Sequence, residues 1–146
     1  MSAHSNEDVS ATLDWRLGYL LKHAQLRLAA ITAPALAPFG ITGRQLAVLM
    51  TIDDVVPLSQ QDVASRLGVD RTTMVALIDE LEDKGLVQRR PDPADRRRNV
   101  VALTGAGHTT MAGAIAASDD AERRFLSKLS ADEAASLRAA LRANAF

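Results

Sequence analysis

The chain has 146 residues, a formal net charge of −1, 47% hydrophobic and 24% charged residues, which suits one globular domain able to bury a core unaided. It has no cysteine, which excludes disulfides, thiolate metal sites and cysteine redox sensing. With only 3% aromatic residues the core must be aliphatic, which favours packed helices over a sandwich.

The N-terminal "MSAHSNEDVSATLDW" is polar and acidic, without the basic and apolar regions of a secretory leader, and residues 1–11 are expected to be disordered. No apolar run approaches the roughly 20 residues of a membrane span, so a soluble cytoplasmic protein without a membrane partner is expected. From Leu13 to about Leu36, Leu13, Leu17, Leu20, Leu21, Ala24, Leu28 and Ile31 recur at spacings of three and four, a helical stripe closed by Pro34 and "APFG" at 37–40. A second helix starts at Thr42, where Gln45 has capping-box spacing, and ends at Asp53, Asp54 and Pro57. Acids at a helix C-terminus oppose its dipole, so Asp53 and Asp54 read only as a solvated end.

In "SQQDVASRLGV" Ser59 is a good N-cap, Val63 and Leu67 form a short apolar stripe, and Gly68 is a natural stop. Asp70 caps the next helix, with Met74, Leu77, Ile78 and Leu81 on one face and Gly85 after its end. Two helices around the tight Gly68-Val69-Asp70 turn form a helix-turn-helix candidate. "LVQRR" and "NVVAL" then flank the two-proline turn "PDPADRR" and predict a hairpin with a long tip. Thr104 caps a helix running to about Leu126. A last helix starts at Ser130, completes a capping box with Glu133 and carries Leu137 and Leu141.

A helix-turn-helix followed by a basic hairpin is a winged helix, giving a fold that is mainly α with a small β-hairpin. Its second helix is narrow enough for a DNA major groove, and Arg71, Thr72 and Thr73 in its first turn can reach bases or phosphates. The hairpin tip would lie beside the backbone or in the adjacent minor groove, where arginine is attracted. Lys84, Arg89, Arg90, Arg96, Arg97 and Arg98 face only two acids between Lys84 and Asn99, a local balance of +4 hidden by the near-neutral total.

Residues 58–107, and above all "DPADRR" followed by "VALT", resemble the DNA-binding core of the MarR family of bacterial transcriptional regulators, and the flanking helices extend the resemblance from about residue 13. The resemblance implies an obligate homodimer on pseudo-palindromic double-stranded DNA, most often a repressor. It assigns 12–36 and 104–146 to dimerisation helices around a lobe at 42–103. Arg97 would enter the minor groove with Asp95 steadying it, while Gln60, Gln61, Arg71, Thr72 and Thr73 would meet the major groove or its phosphates. Arg89, Arg96 and Arg98 complete the expected contacts. Leu17, Leu21, Leu126, Leu137 and Leu141 would bury the dimer interface. A small-molecule effector between the dimer helices and the lobes would release DNA by favouring one spacing of the recognition helices. The chain departs from the pattern at Ala76, where a longer polar side chain is common.

Blander readings stand beside these. Asp95 serves equally as a plain turn former. At most one of Arg89 and Arg90 should face DNA, and Thr72 and Thr73 are also ordinary first-turn residues. Trp15, Tyr19 and His23, four apart, are candidates for an effector pocket, with packing the simpler reading. "GAGH" at 105–108 lacks the rest of a phosphate loop and suits a helix start. His4, His23 and His108 are scattered and no nucleophile has an evident base, so no enzyme, metal or cofactor is expected. Glu82 and Asp83 read as the wet face of a helix. The alternative from another class is a winged-helix protein-interaction module without specific DNA binding.

Overall fold

The computed structural model describes residues 12–53 and 56–146; the disorder expected for 1–11 and the role of Asp54 lie outside them. Among the described residues a 3-10 turn at Leu13–Trp15 precedes α1 (Leu17–Leu36), a second 3-10 turn (Ala37–Phe39), α2 (Gly43–Ile52), β1 (Leu58–Ser59), α3 (Gln60–Leu67), α4 (Arg71–Asp83), β2 (Val87–Pro91), β3 (Asn99–Leu103), α5 (Gly105–Phe125) and α6 (Ala131–Ala145). The expected order of helices and hairpin is therefore present. Two details differ. Pro34 lies inside α1, which continues to Leu36 before the turn at Ala37–Phe39 ends it. Leu58–Ser59 forms a short third strand, giving an antiparallel sheet of order β1-β3-β2.

The caps form because each is local. Thr42 with Gln45, Ser59 with Asp62, and Ser130 with Glu133 are complete capping boxes. Gly68 ends α3 with φ 62°, a left-handed turn that costs glycine nothing and lets Asp70 begin α4 two residues later. In the sheet β3 is central: Val101 pairs with Leu58 on one side and Arg89 on the other.

The chain forms two compact units. One comprises the described residues up to Thr32 together with Asp120–Phe146; the other spans Ala33–Asp119. The second holds a core of Leu36, Leu46, Leu49 and Ile52, Val63, Met74, Ile78 and Leu81, Val87 and Val101, joined by Met111 and Ala114 of α5. The first half of α5, assigned by sequence to dimerisation, thus completes the core of the winged-helix unit. Each fully buried Leu, Ile or Met side chain there contributes about 1.5–3 kcal/mol of transfer free energy.

The first unit, by contrast, leaves Leu17, Leu20, Leu21, Leu26, Leu137 and Leu141 exposed. Within it Arg138 donates to Glu122 at 2.8 Å, and the Arg27 guanidinium lies 5.3 Å from the centre of the Phe125 ring. No single helix among the described residues is long and apolar enough to cross a membrane.

Candidate nucleic-acid interface

The second helix of the helix-turn-helix, the one expected to read DNA, is α4. Its cap is Asp70, whose carboxylate accepts from the Thr73 backbone N–H at 2.8 Å and from the Thr73 hydroxyl at 2.7 Å. Those bonds, the backbone one foremost, hold the Asp70 carboxyl below the ordinary carboxylate range. They also occupy the Thr73 hydroxyl, which the sequence placed among the DNA contacts. Arg71 and Thr72 remain exposed at the leading turn, while Met74 and Ile78 are fully buried and fix the helix on the core. Gln61 is exposed at the start of α3.

The wing is β2, β3 and the segment between them. Its tip is folded by two Asx turns: Asp92 Oδ1 accepts from the Ala94 N–H at 2.9 Å and Asp95 Oδ1 from the Arg97 N–H at 3.0 Å. The Asp92 N–H donates to the Arg98 carbonyl at 2.7 Å and closes the tip. Asp95 is therefore a turn former, and its bond is to the backbone of Arg97 and not to the guanidinium. The side chains of Arg71, Arg96 and Arg97 make no hydrogen bond or ion pair among the described residues, leaving three exposed guanidinium groups available.

Arg89 and Arg98 differ. The Arg89 guanidinium, 25% exposed, bonds Asp79 at 2.6 Å, Glu82 at 3.0 Å and the Gln60 side-chain oxygen at 3.0 and 3.3 Å. Its backbone N–H donates to the other Glu82 oxygen at 3.0 Å. Arg98 bonds Ser59 Oγ at 2.7 Å and Asp62 at 2.6 Å. The Asp62 carboxyl is held low first by the Ser59 backbone N–H and the Ser59 side chain, and then by Arg98. Arg89 on β2 and Arg98 just before β3, both expected among the DNA contacts, thus bond acids of α4 and α3 respectively. Glu82, expected to be merely wet, accepts two of these bonds. Between wing and helices lies an open cavity of about 590 Å³ lined by Gln60, Gln61, Arg71, Arg89, Arg98 and Asn99 among others.

The chain is similar to known proteins. A family profile described as MarR family matches residues 39–98. Transcriptional regulator HosA of Escherichia coli O111:H- is 34% identical over 93 residues, 64% of this chain and 69% of HosA. The structure of the transcriptional repressor CouR bound to a 23-mer DNA duplex superposes with a TM-score of 0.87 at 34% identity, covering 94% of this chain and 97% of that one. CouR from Rhodococcus jostii RHA1 bound to p-coumaroyl-CoA gives 0.82 at 32% identity, over 94% and 96% of the two chains.

The chain belongs to the MarR family. It is a transcriptional regulator with that family's winged-helix fold, not an enzyme. For a MarR-family protein the remaining expected residues fall as follows. Leu17, Leu21, Leu137 and Leu141 are exposed and Leu126 is half-buried within the first unit. Trp15 sits in the 3-10 turn, and extended backbone at Arg16 (ψ 132°) separates it from α1, so Trp15, Tyr19 and His23 do not share one continuous helix. Tyr19 and His23 do meet, ring centres 4.1 Å apart.

Sequence reading missed two features. Gly107 lies against the sheet: a Cβ there would be 2.0 Å from the Leu86 carbonyl oxygen, so only glycine permits the approach of α5. Asp53 stands 3.7 Å from His108 Nδ1 at the start of α5, which gives the acid at the end of α2 a neighbour. Both depend on residues distant in sequence. A glycine in the first turn of a helix was the single available hint.

Proposed function

We propose that this MarR-family regulator acts as a homodimeric repressor on a pseudo-palindromic operator, each protomer placing α4 in a major groove and the wing tip in the neighbouring minor groove. The observation that carries this reading is the exposed, unpaired pair Arg96 and Arg97 at the hairpin tip, with Arg71 and Thr72 at the leading turn of α4. Two-fold symmetry sets half-sites about one helical turn, roughly 10 bp, apart. Leu17, Leu21, Leu126, Leu137 and Leu141 supply the dimer contact, and a DNA target places the protein in the bacterial cytoplasm. A small-molecule effector that prefers one spacing of the two recognition helices relieves repression. The relatives structurally matched here with DNA and with p-coumaroyl-CoA support both halves of the scheme. The protein-interaction alternative gains no support from them.

The deciding experiment is sequencing of genomic fragments retained by the full chain, followed by fluorescence anisotropy on the enriched duplex across a salt series. The expected result is a palindrome-like consensus whose affinity falls steeply with salt, since phosphate contacts release counterions. No enriched sequence, or a flat salt response, overturns the proposal.

A further inference from the structure

We propose that Arg89 is a positioning residue that latches the wing to the recognition helix, rather than a DNA contact. Its five N–H donors form a planar fork, and the fork is filled from two helices: Gln60 on α3, Asp79 and Glu82 on α4. Glu82 also holds the Arg89 backbone N–H, so the strand itself, and not only the side chain, is tied to α4. Opposite Arg89 in the ladder is Val101, buried in the core and paired on its far side with Leu58. The latch therefore joins α3, α4 and the sheet at one point, and the tip bearing Arg96 and Arg97 is carried on the strand leaving it.

Charge supports this assignment. Asp79 and Glu82 are 55% and 42% exposed on the helix that approaches a polyanion, where carboxylates repel phosphate. One arginine against two acids leaves the cluster net negative, so it adds no attraction for DNA. Acids in that place make sense as the receiving half of a brace that fixes the distance between groove-reading helix and wing. Arg98, just before β3, braces the returning side of the wing through Ser59 and Asp62, while the side chains of Arg96 and Arg97 stay unbound.

The inference rests on the DNA-binding reading, and its test separates the two. Affinities of the full chain for the selected duplex and for a shuffled duplex of equal length are measured by anisotropy at several salt concentrations, with thermal unfolding of each variant as a folding control. D79N/E82Q removes two negative charges, so simple electrostatics requires tighter binding. The latch requires the opposite on the selected duplex, about tenfold weaker binding, with shuffled-duplex affinity unchanged or raised. R89K keeps the charge but loses the fork, and should fall with D79N/E82Q. R89A should keep the wild-type salt slope, whereas R97A should lower it by about one. Tighter selected-duplex binding by D79N/E82Q, full affinity in R89K, or a reduced salt slope in R89A each overturns the latch. A wild-type chain that binds neither duplex overturns the DNA-binding reading, and the latch with it.

Discussion

The two units of this chain handle the same aliphatic residues in opposite ways. In Ala33–Asp119 leucine, isoleucine and valine face inward; among the described residues every buried hydrophobic side chain but Ala121 belongs to this unit. In the unit built from α1, the end of α5 and α6, leucines lie outside: every exposed large hydrophobic residue except Met50 and Val56 is there. The difference teaches that the winged-helix unit buries its aliphatic side chains with its own chain, while the helices of the first unit leave theirs uncovered. Leucines exposed in such number suit an interface, and a second copy is the partner the family supplies.

The contrast can be broken most forcefully in the core. Ile78→Ala should cost about 2–5 kcal/mol of stability by leaving a cavity under the recognition helix, measured by denaturant unfolding. L137E/L141E should leave the winged-helix unit folded by circular dichroism while converting the protein to monomers in sedimentation. DNA affinity should then fall about a hundredfold as the two half-sites cease to be linked; a dimeric, fully active double variant would erase the distinction between the units. Arg97→Ala should weaken DNA binding by about 1–3 kcal/mol without changing stability or dimerisation, checked by anisotropy and sedimentation together.

The smallest effect concerns the caps. Asp62, Asp70 and Glu133 all have carboxyl pKa values below the ordinary range, held mainly by backbone N–H groups of Ser59, Thr73 and Ser130. Groups lowered on folding contribute their full stability above the unfolded value, near 4, and lose it as pH falls through that value towards the lowered one. Melting temperature should therefore drop below about pH 4, in both units, since Glu133 belongs to the first and Asp70 to the second. Asp70→Asn keeps a capping oxygen and should flatten that dependence with little change at pH 7.

What the sequence disclosed follows the same division between local and distant. Caps, stops and helical stripes span three or four residues, and Thr42, Ser59, Gly68, Asp70 and Ser130 were all legible. Strand β1 was not: two residues carry no period, and only their pairing with Val100 and Val101 defines them. The tip arginines were legible from charge and frame. The bonds of Arg89 to Gln60 and of Arg98 to Ser59 cross 29 and 39 residues, so no spacing rule reaches them. The break at Arg16 that detaches Trp15 leaves no mark in hydrophobic periodicity.

Strand β2 lies at the rim of the sheet, where unpaired backbone groups invite a foreign strand. Here the outward N–H of Arg89 is taken by Glu82, and Pro91 two residues on has none to offer. The opposite rim, β1, is only two residues long. A protein obliged to display sticky leucines in one unit is thus sealed against stacking along the sheet of the other. Association is channelled into the helical pair and away from fibrous aggregates, so concentrated preparations should yield discrete dimers in place of ladders.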